Sequence, residues 1–242
     1  MKKKVTYSLI TIILFVFVSA TESYAQENEQ KKGNIDISVD FVNRYLWRGL
    51  LYCSTPSIQP YLAYTNANEN FSFGAWGSYS NSSNYGEVDL FITYSAKYFS
   101  VSVWDYFLMD ETASRNRYFQ YDNETTGHSY EAALVIGNFK LPIQITSSIF
   151  FYGADKDANG DNYYSLYFEA AYTFNVANQD FNVFLGGTPR EGLYGSGPGF
   201  VNLGCSLTKE IKITDNFSLP LKGSLVFNPR EENVFFIVGI TL

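Results

Sequence analysis

Glu87-Val88-Asp89-Leu90-Phe91-Ile92-Thr93-Tyr94 places Val88, Leu90, Ile92 and Tyr94 on one side of an extended chain and Glu87, Asp89, Phe91 and Thr93 on the other. Side chains alternate across a strand with period two, so this octet predicts a β-strand with one apolar and one mixed face. The same alternation recurs outward from it. Near the start, Ile35, Ile37, Val39 and Phe41 oppose Asp36, Ser38, Asp40 and Val42. At the other end, Val234, Phe236, Val238, Ile240 and Leu242 oppose Asn233, Phe235, Ile237, Gly239 and Thr241. Strands are predicted at 34–47, 56–66, 70–80, 86–96, 98–107, 129–138, 143–152, 162–174, 179–187, 199–210, 216–227 and 233–242, about twelve in all, with ten or fourteen if one hairpin is fused or split.

The connections alternate as well. Those at 48–55, 81–85, 108–128, 153–161, 188–198 and 228–232 are long, whereas 67–69, 97, 139–142 and 211–215 are mostly tight turns. An even number of strands of about ten residues, with long and short links in turn, predicts an all-β fold: a transmembrane antiparallel up-and-down β-barrel of an outer membrane, its long loops outside. Hydrocarbon cannot hydrogen-bond an amide, so the sheet has to close, and the first strand is expected to pair with 233–242. Two aromatic belts are expected at the headgroup levels. Tyr45, Trp47, Tyr79, Phe107, Tyr130, Phe151, Tyr164 and Phe227 form the outer one, and Tyr64, Phe71, Tyr94, Phe99, Tyr172, Phe174, Phe181 and Phe217 the inner one. A soluble β-sandwich would instead gather its aromatics into one shared core. Pro220 cannot donate to a ladder, which suits a bulge or the inner rim.

The amino terminus supplies an address. Lys2, Lys3 and Lys4 precede an apolar stretch from Val5 to Ala20, and Ser23-Tyr24-Ala25 has the small-x-small form of a cleavage site. Residues 1–25 therefore read as a signal peptide and 26–242 as the barrel domain. A membrane anchor would need a longer apolar run. Hydrophobic residues make up 46% of the chain, but no later segment is apolar for long enough to span as a helix. The leader takes three lysines and Glu22 with it, leaving 14 basic and 23 acidic residues, a net charge of −9. That balance argues against nucleic acid as a partner. Cys53, near a loop, and Cys205, on a lipid-facing position, are too few for a disulfide framework or metal cluster, and their strands are not neighbours.

Phe41-Val42-Asn43-Arg44-Tyr45-Leu46-Trp47-Arg48-Gly49 resembles the first-strand signature of the TorF-type porins. Thr208-Lys209-Glu210-Ile211-Lys212-Ile213-Thr214-Asp215, followed by Asn228-Pro229 and the last strand, resembles the ending of their Bacteroidetes-type relatives. The resemblance implies an outer-membrane pore and brings no catalytic or cofactor-binding residues. Many outer-membrane barrels end in an aromatic, whereas the last residue here is Leu242, with Phe236 the nearest aromatic on that face.

The face opposite the apolar one carries the candidate site. Asp36, Asp40, Arg44, Glu87, Asp89, Trp104, Glu131, Glu169 and Lys222 are the candidate pore-lining residues, with Glu210 and Arg48 on the same parity. Facing charges set ion preference in pores, so the acidic excess suggests cation preference; these carboxylates could equally pair with the bases or solvate a polar interior. Trp76, Phe91, Trp104, Tyr106, Phe150, Tyr152, Tyr163, Tyr167, Phe184 and Phe235 are also predicted to face inward. Such a load in a barrel of about twelve strands reads either as a stacking track for sugars or as packing that narrows or plugs the lumen, the second being favoured.

Other motifs are weaker. His128-Ser129-Tyr130-Glu131 invites a serine-hydrolase reading, but neighbours on a strand point to opposite faces and no nucleophile elbow is present. Asp155-Lys156-Asp157-Ala158-Asn159-Gly160-Asp161 matches half a calcium loop, with Leu166 where the closing glutamate belongs; turn chemistry explains the run without metal. The long link 108–128 has the length of a functional loop. The expectation is a non-enzymatic outer-membrane barrel, without cofactor or metal, acting as a porin or passive diffusion channel for small solutes. The alternative is a closed, non-conducting barrel with a binding or structural role through its external loops. The lipid bilayer is the expected partner; oligomeric state is left open.

Overall fold

Strand β1 (Asn34–Val42) aligns antiparallel with β4 (Ser57–Thr65) from the Asn34–Thr65 pair to the Val42–Ser57 pair, and this pairing repeats around a closed ring. The computed structural model describes residues 32–80, 85–109, 117–138, 141–177 and 179–242; the expected leader, parts of three connections and residue 178 lie outside them. Between β1 and β4 stand two short strands, β2 (Tyr45–Trp47) and β3 (Leu50–Cys53). The ring continues with β5 (Phe71–Ser80), β6 (Tyr85–Ser95), β7 (Phe99–Met109), β8 (His128–Ile136), β9 (Ile143–Gly153) and β10 (Leu166–Val176). It ends with β11 (Gln179–Thr188), β12 (Gly199–Thr214), β13 (Phe217–Asn228) and β14 (Asn233–Thr241). Each strand pairs with its neighbour in sequence, and β14 returns to β1, giving a twelve-stranded antiparallel barrel with β2 and β3 as a separate two-stranded sheet. No helix occurs among the described residues.

The predicted ring of twelve strands and its closure are present, but the first strand, expected at 34–47, leaves the wall after Val42 and residues 45–47 join a separate sheet. The closing seam is short: Asp40–Val42 pair with Gly239–Thr241, and Val39 and Leu242 exchange backbone hydrogen bonds of 3.0 Å. Apolar residues point outward, with Ile37 74% and Phe236 61% exposed, while Glu131 on the inner face is fully buried. This inverts the arrangement of a soluble protein. On the short-turn rim Tyr64, Phe71, Tyr94, Phe99, Tyr172 and Phe217 are exposed, as expected. Pro220 lies near that rim, one residue beyond Leu221, where pairing of β13 to β14 stops. Cys53 and Cys205 are not bridged to each other.

The outer belt needs correction. Tyr79, Phe151, Tyr164 and Phe227 point outward and are exposed, but Tyr45 and Trp47 turn into the lumen. Phe107 and Tyr130 keep outward parity beside His128, yet Phe107 is buried because Tyr118 packs over it with ring centroids 5.1 Å apart. Tyr152, predicted to face inward, faces outward. A bulge between Tyr130 and Glu131 leaves Phe151 unpaired on β9, and the shifted Tyr152 hydroxyl donates to the Tyr121 carbonyl at 2.6 Å. A second bulge, between Gly186 and Gly187 on β11, leaves Val201 of β12 without a partner and lets it enter the interior beside Asn202.

Candidate functional site

The expected external loop after β1 folds back into the barrel instead. Asn43 begins the turn inward: its side chain stands in for a backbone pair, donating to the Phe236 carbonyl at 3.2 Å and accepting from the Val238 amide at 3.0 Å. The edge of β14 is thereby satisfied where β1 leaves the wall. Tyr45-Leu46-Trp47 and Leu50-Leu51-Tyr52-Cys53 then pair as a hairpin, Trp47 opposite Leu50. Arg48 and Gly49 form its tip with φ of 49° and 78°, the positive values that a type I′ two-residue turn requires. Gly49 is obligatory for a second reason: a Cβ there would stand 1.8 Å from the Val201 carbonyl oxygen. Asn228 on β13 donates to the Gly49 carbonyl at 3.0 Å, so the tip is tied to the wall.

Arg48 occupies the middle of the lumen. Its guanidinium makes a two-pronged ion pair with Glu131 of β8, and also donates to Ser148 Oγ at 3.1 Å and the Tyr194 hydroxyl at 2.7 Å. The guanidinium carbon lies 4.3 Å from the Trp47 ring centre and 4.6 Å from that of Tyr167. Tyr106 donates to the second Glu131 oxygen at 2.9 Å. The Glu131 side chain is 1% exposed, so its charge depends on these donors rather than on water. Around the pair, Phe150, Tyr167, Tyr194 and Val201 form a buried cluster against which Trp47, Leu50 and Tyr106 pack. Tyr194 reaches this layer from the connection between β11 and β12, whose turn is closed by paired hydrogen bonds of 3.0 Å between Gly192 and Gly195. Arg230 clamps the same connection through the Gly197 and Pro198 carbonyls at 2.7 and 3.0 Å.

Two cavities flank the hairpin. Towards the long loops lies a cavity of about 410 Å³ lined by rings of Tyr45, Trp47, Tyr52, Tyr106, Phe150 and Tyr163, with Glu87 and Lys156. Towards the short turns lies a polar cavity of about 340 Å³ with Asp40, Arg44, Glu169, Asn182, Asn202 and Lys222 in its wall. Nine residues were expected to line a pore. Asp40, Arg44, Glu169 and Lys222 lie in the lower cavity, Glu87 in the upper, and Glu131 between them. Asp89 is buried one rung below Glu87, and Trp104 stacks on Phe91 and Tyr106 with centroids 4.6 and 5.9 Å apart. Asp36 stays at the short-turn mouth, accepting from Asn34 at 2.6 Å. Glu87 accepts from the Tyr85 hydroxyl. Most of these side chains therefore sit in hydrogen-bonded clusters.

His128 and Ser129 diverge as the strand rule requires. Ser129 faces the upper cavity, whereas His128 lies on the outside of the wall beneath residues 117–127. Its Nδ1 is 2.7 Å from Asp105 Oδ1 and its Nε2 is 2.6 Å from the Tyr118 carbonyl oxygen. Both nitrogens are turned to these oxygens on the outer side of the wall, so neither is directed towards Ser129. The described part of the long link is thus a strap against the outer wall; residues 110–116, with Arg115, lie outside the described residues. In the loop at 155–161, Asp157 Oδ1 accepts the amides of Asn159 and Asp161 at 2.8 and 3.0 Å, and Asp155 accepts both the amide and hydroxyl of Ser165. Asp157 thus shapes the turn, and Asp155 ties the loop to the residue before β10. No family model matches the chain, and no curated protein matches it significantly in sequence.

Proposed function

We propose that the protein is an outer-membrane β-barrel closed by its own first loop, which meets small solutes through its cavities and external connections and does not serve as an open diffusion channel. The observation that carries this reading is the Arg48 hairpin tip ion-paired with Glu131 inside the ring. An open pore would let water reach its inner charges, but here the central ones are solvated by other side chains. A membrane setting is supported by the closed ring, the outward apolar face and the aromatic rim, which together suit lipid better than water. The leader-like amino terminus and the resemblance of the first strand to TorF-type porins point the same way. In this orientation the aromatic cavity opens to the outside and the polar one to the periplasm.

Two assays test the proposal. Cell fractionation is expected to recover the protein with the outer membrane in heat-modifiable form. Proteoliposomes are expected to swell in small sugars no faster than protein-free vesicles. Recovery in a soluble fraction would overturn the membrane reading, and rapid swelling would overturn the closure.

A further inference from the structure

The cavity on the long-loop side offers groups that are both unused and within reach of a ligand. Its wall is mostly aromatic, and Leu108 and Leu193, which also line it, are exposed. Tyr52, Ser129 and Tyr163 line it half-buried, and their hydroxyls make no hydrogen bond among the described residues. The buried unpartnered side-chain atoms of the described residues are Arg44 Nε, Asp89 Oδ1, Asn162 Oδ1 and Asn182 Oδ1, so these three hydroxyls keep accessible surface. One ring is free as well. Tyr45, Trp47, Tyr52, Tyr106 and Phe150 each pack on another ring, whereas Tyr163 meets none among the described residues. Charge narrows the choice of ligand. Of the charged residues in the wall, Asp155 already accepts the amide and hydroxyl of Ser165. Glu87 and Lys156 remain, opposite in sign, and neither joins an ion pair among the described residues. An organic cation meets Lys156 there and an anion meets Glu87, so the wall favours neither.

We infer that this cavity binds a neutral pyranose sugar, a monosaccharide or a disaccharide. The C–H face of a pyranose stacks on the Tyr163 ring, whose negative face attracts those hydrogens. Its hydroxyls both donate and accept, so they pair with Tyr52, Ser129 and Tyr163 whichever way those hydroxyls turn. A wholly apolar ligand would cover the three hydroxyls and Glu87 without replacing their water. The volume of about 410 Å³ falls within the roughly 300–1,000 Å³ of small-molecule sites. The inference deepens the closed-barrel proposal, on which the outward opening of the cavity rests, but binding itself requires no passage through the barrel.

The test is calorimetric titration of the refolded full-length protein in detergent with glucose, N-acetylglucosamine, maltose, choline and phenylalanine. Saturable one-site binding of at least one sugar is expected. Its affinity should change less than about twofold between low and high salt, because a neutral ligand carries no charge to screen. Tyr163→Ala is expected to weaken it by about tenfold or more, and Tyr163→Phe by less, because the ring remains. Ser129→Ala is expected to weaken it by about threefold or more. Heat-modifiable mobility in each variant confirms a folded barrel. Absence of saturable binding for all three sugars would overturn the inference. Tighter binding of choline or phenylalanine than of any sugar, or an unchanged affinity in Tyr163→Ala, would overturn it as well. Rapid swelling of proteoliposomes with sugar binding retained would overturn the closure alone and leave this site standing.

Discussion

Replacing Arg48 by methionine keeps most of the side-chain length and removes the charge. Glu131, with its side chain 1% exposed, then loses its only cationic partner among the described residues. Breaking a buried pair from one side costs about 3–5 kcal/mol, because the remaining charge stays out of water. Cys53, buried on β3, reports the consequence through its reaction with a maleimide under native conditions. If the cost falls on the equilibrium that lifts the hairpin, about 4 kcal/mol raises the open fraction roughly a thousandfold. In a Cys205→Ser background, labelling of Cys53 is expected to accelerate by two to three orders of magnitude, with the barrel still heat-modifiable. Arg48→Lys keeps a charge but not the two-pronged geometry and should fall between. Adding Glu131→Gln to Arg48→Met should recover part of the protection, since no stranded carboxylate remains. Labelling within about threefold of the parent in Arg48→Met would refute the claim that this ion pair holds the hairpin down.

Three further outcomes are expected. Gly49→Ala should unseat the hairpin tip, because its Cβ would overlap the Val201 carbonyl and φ at this position is 78°; fast Cys53 labelling checks this, and a protected Cys53 counts against it. His128→Ala removes the contacts to Asp105 and the Tyr118 carbonyl, so tryptic cleavage after Arg117 should rise about tenfold or more while the barrel's melting temperature shifts little. Amides of Asn159 and Asp161 hold the Asp157 carboxyl below its ordinary value of 3.8. A depressed value means that the turn's stabilisation is complete above the ordinary range and lost as pH falls through the lowered one. Protection of those two amides, their exchange relative to an unstructured chain at the same pH, should therefore be lost only under strongly acidic conditions; loss of protection near neutrality would contradict the assignment.

The wall was legible because period two is enforced on every strand by the same two environments. Pairing at 85–95 with 71–80 and 99–109, and the return of β14 to β1, follow from alternation and from the need to close. The plug was not legible by that route. Tyr45 and Trp47 continue the apolar parity of Phe41 and so extend the predicted first strand to 47, although the chain leaves the wall at Asn43. A local signal was nevertheless present: Tyr45-Leu46-Trp47 and Leu50-Leu51-Tyr52 flank Arg48-Gly49, two apolar runs separated by two residues ending in glycine. The bulges on β9 and β12 carry no comparable mark, because the unpaired residues Phe151 and Val201 are as apolar as their neighbours. Partners within the interior, such as Arg48 with Glu131 eighty-three residues later, depend on which strands face each other across the ring, and one-dimensional alternation does not contain that.

Closure by the first loop is tested most directly by single-channel recording of two proteins in planar bilayers. One is the full chain; the other lacks 43–56, with a two-residue turn joining Val42 to Ser57, which are already cross-strand partners. The account predicts a silent parent and discrete conductance steps from the shortened barrel. Steps of similar size from both would contradict it.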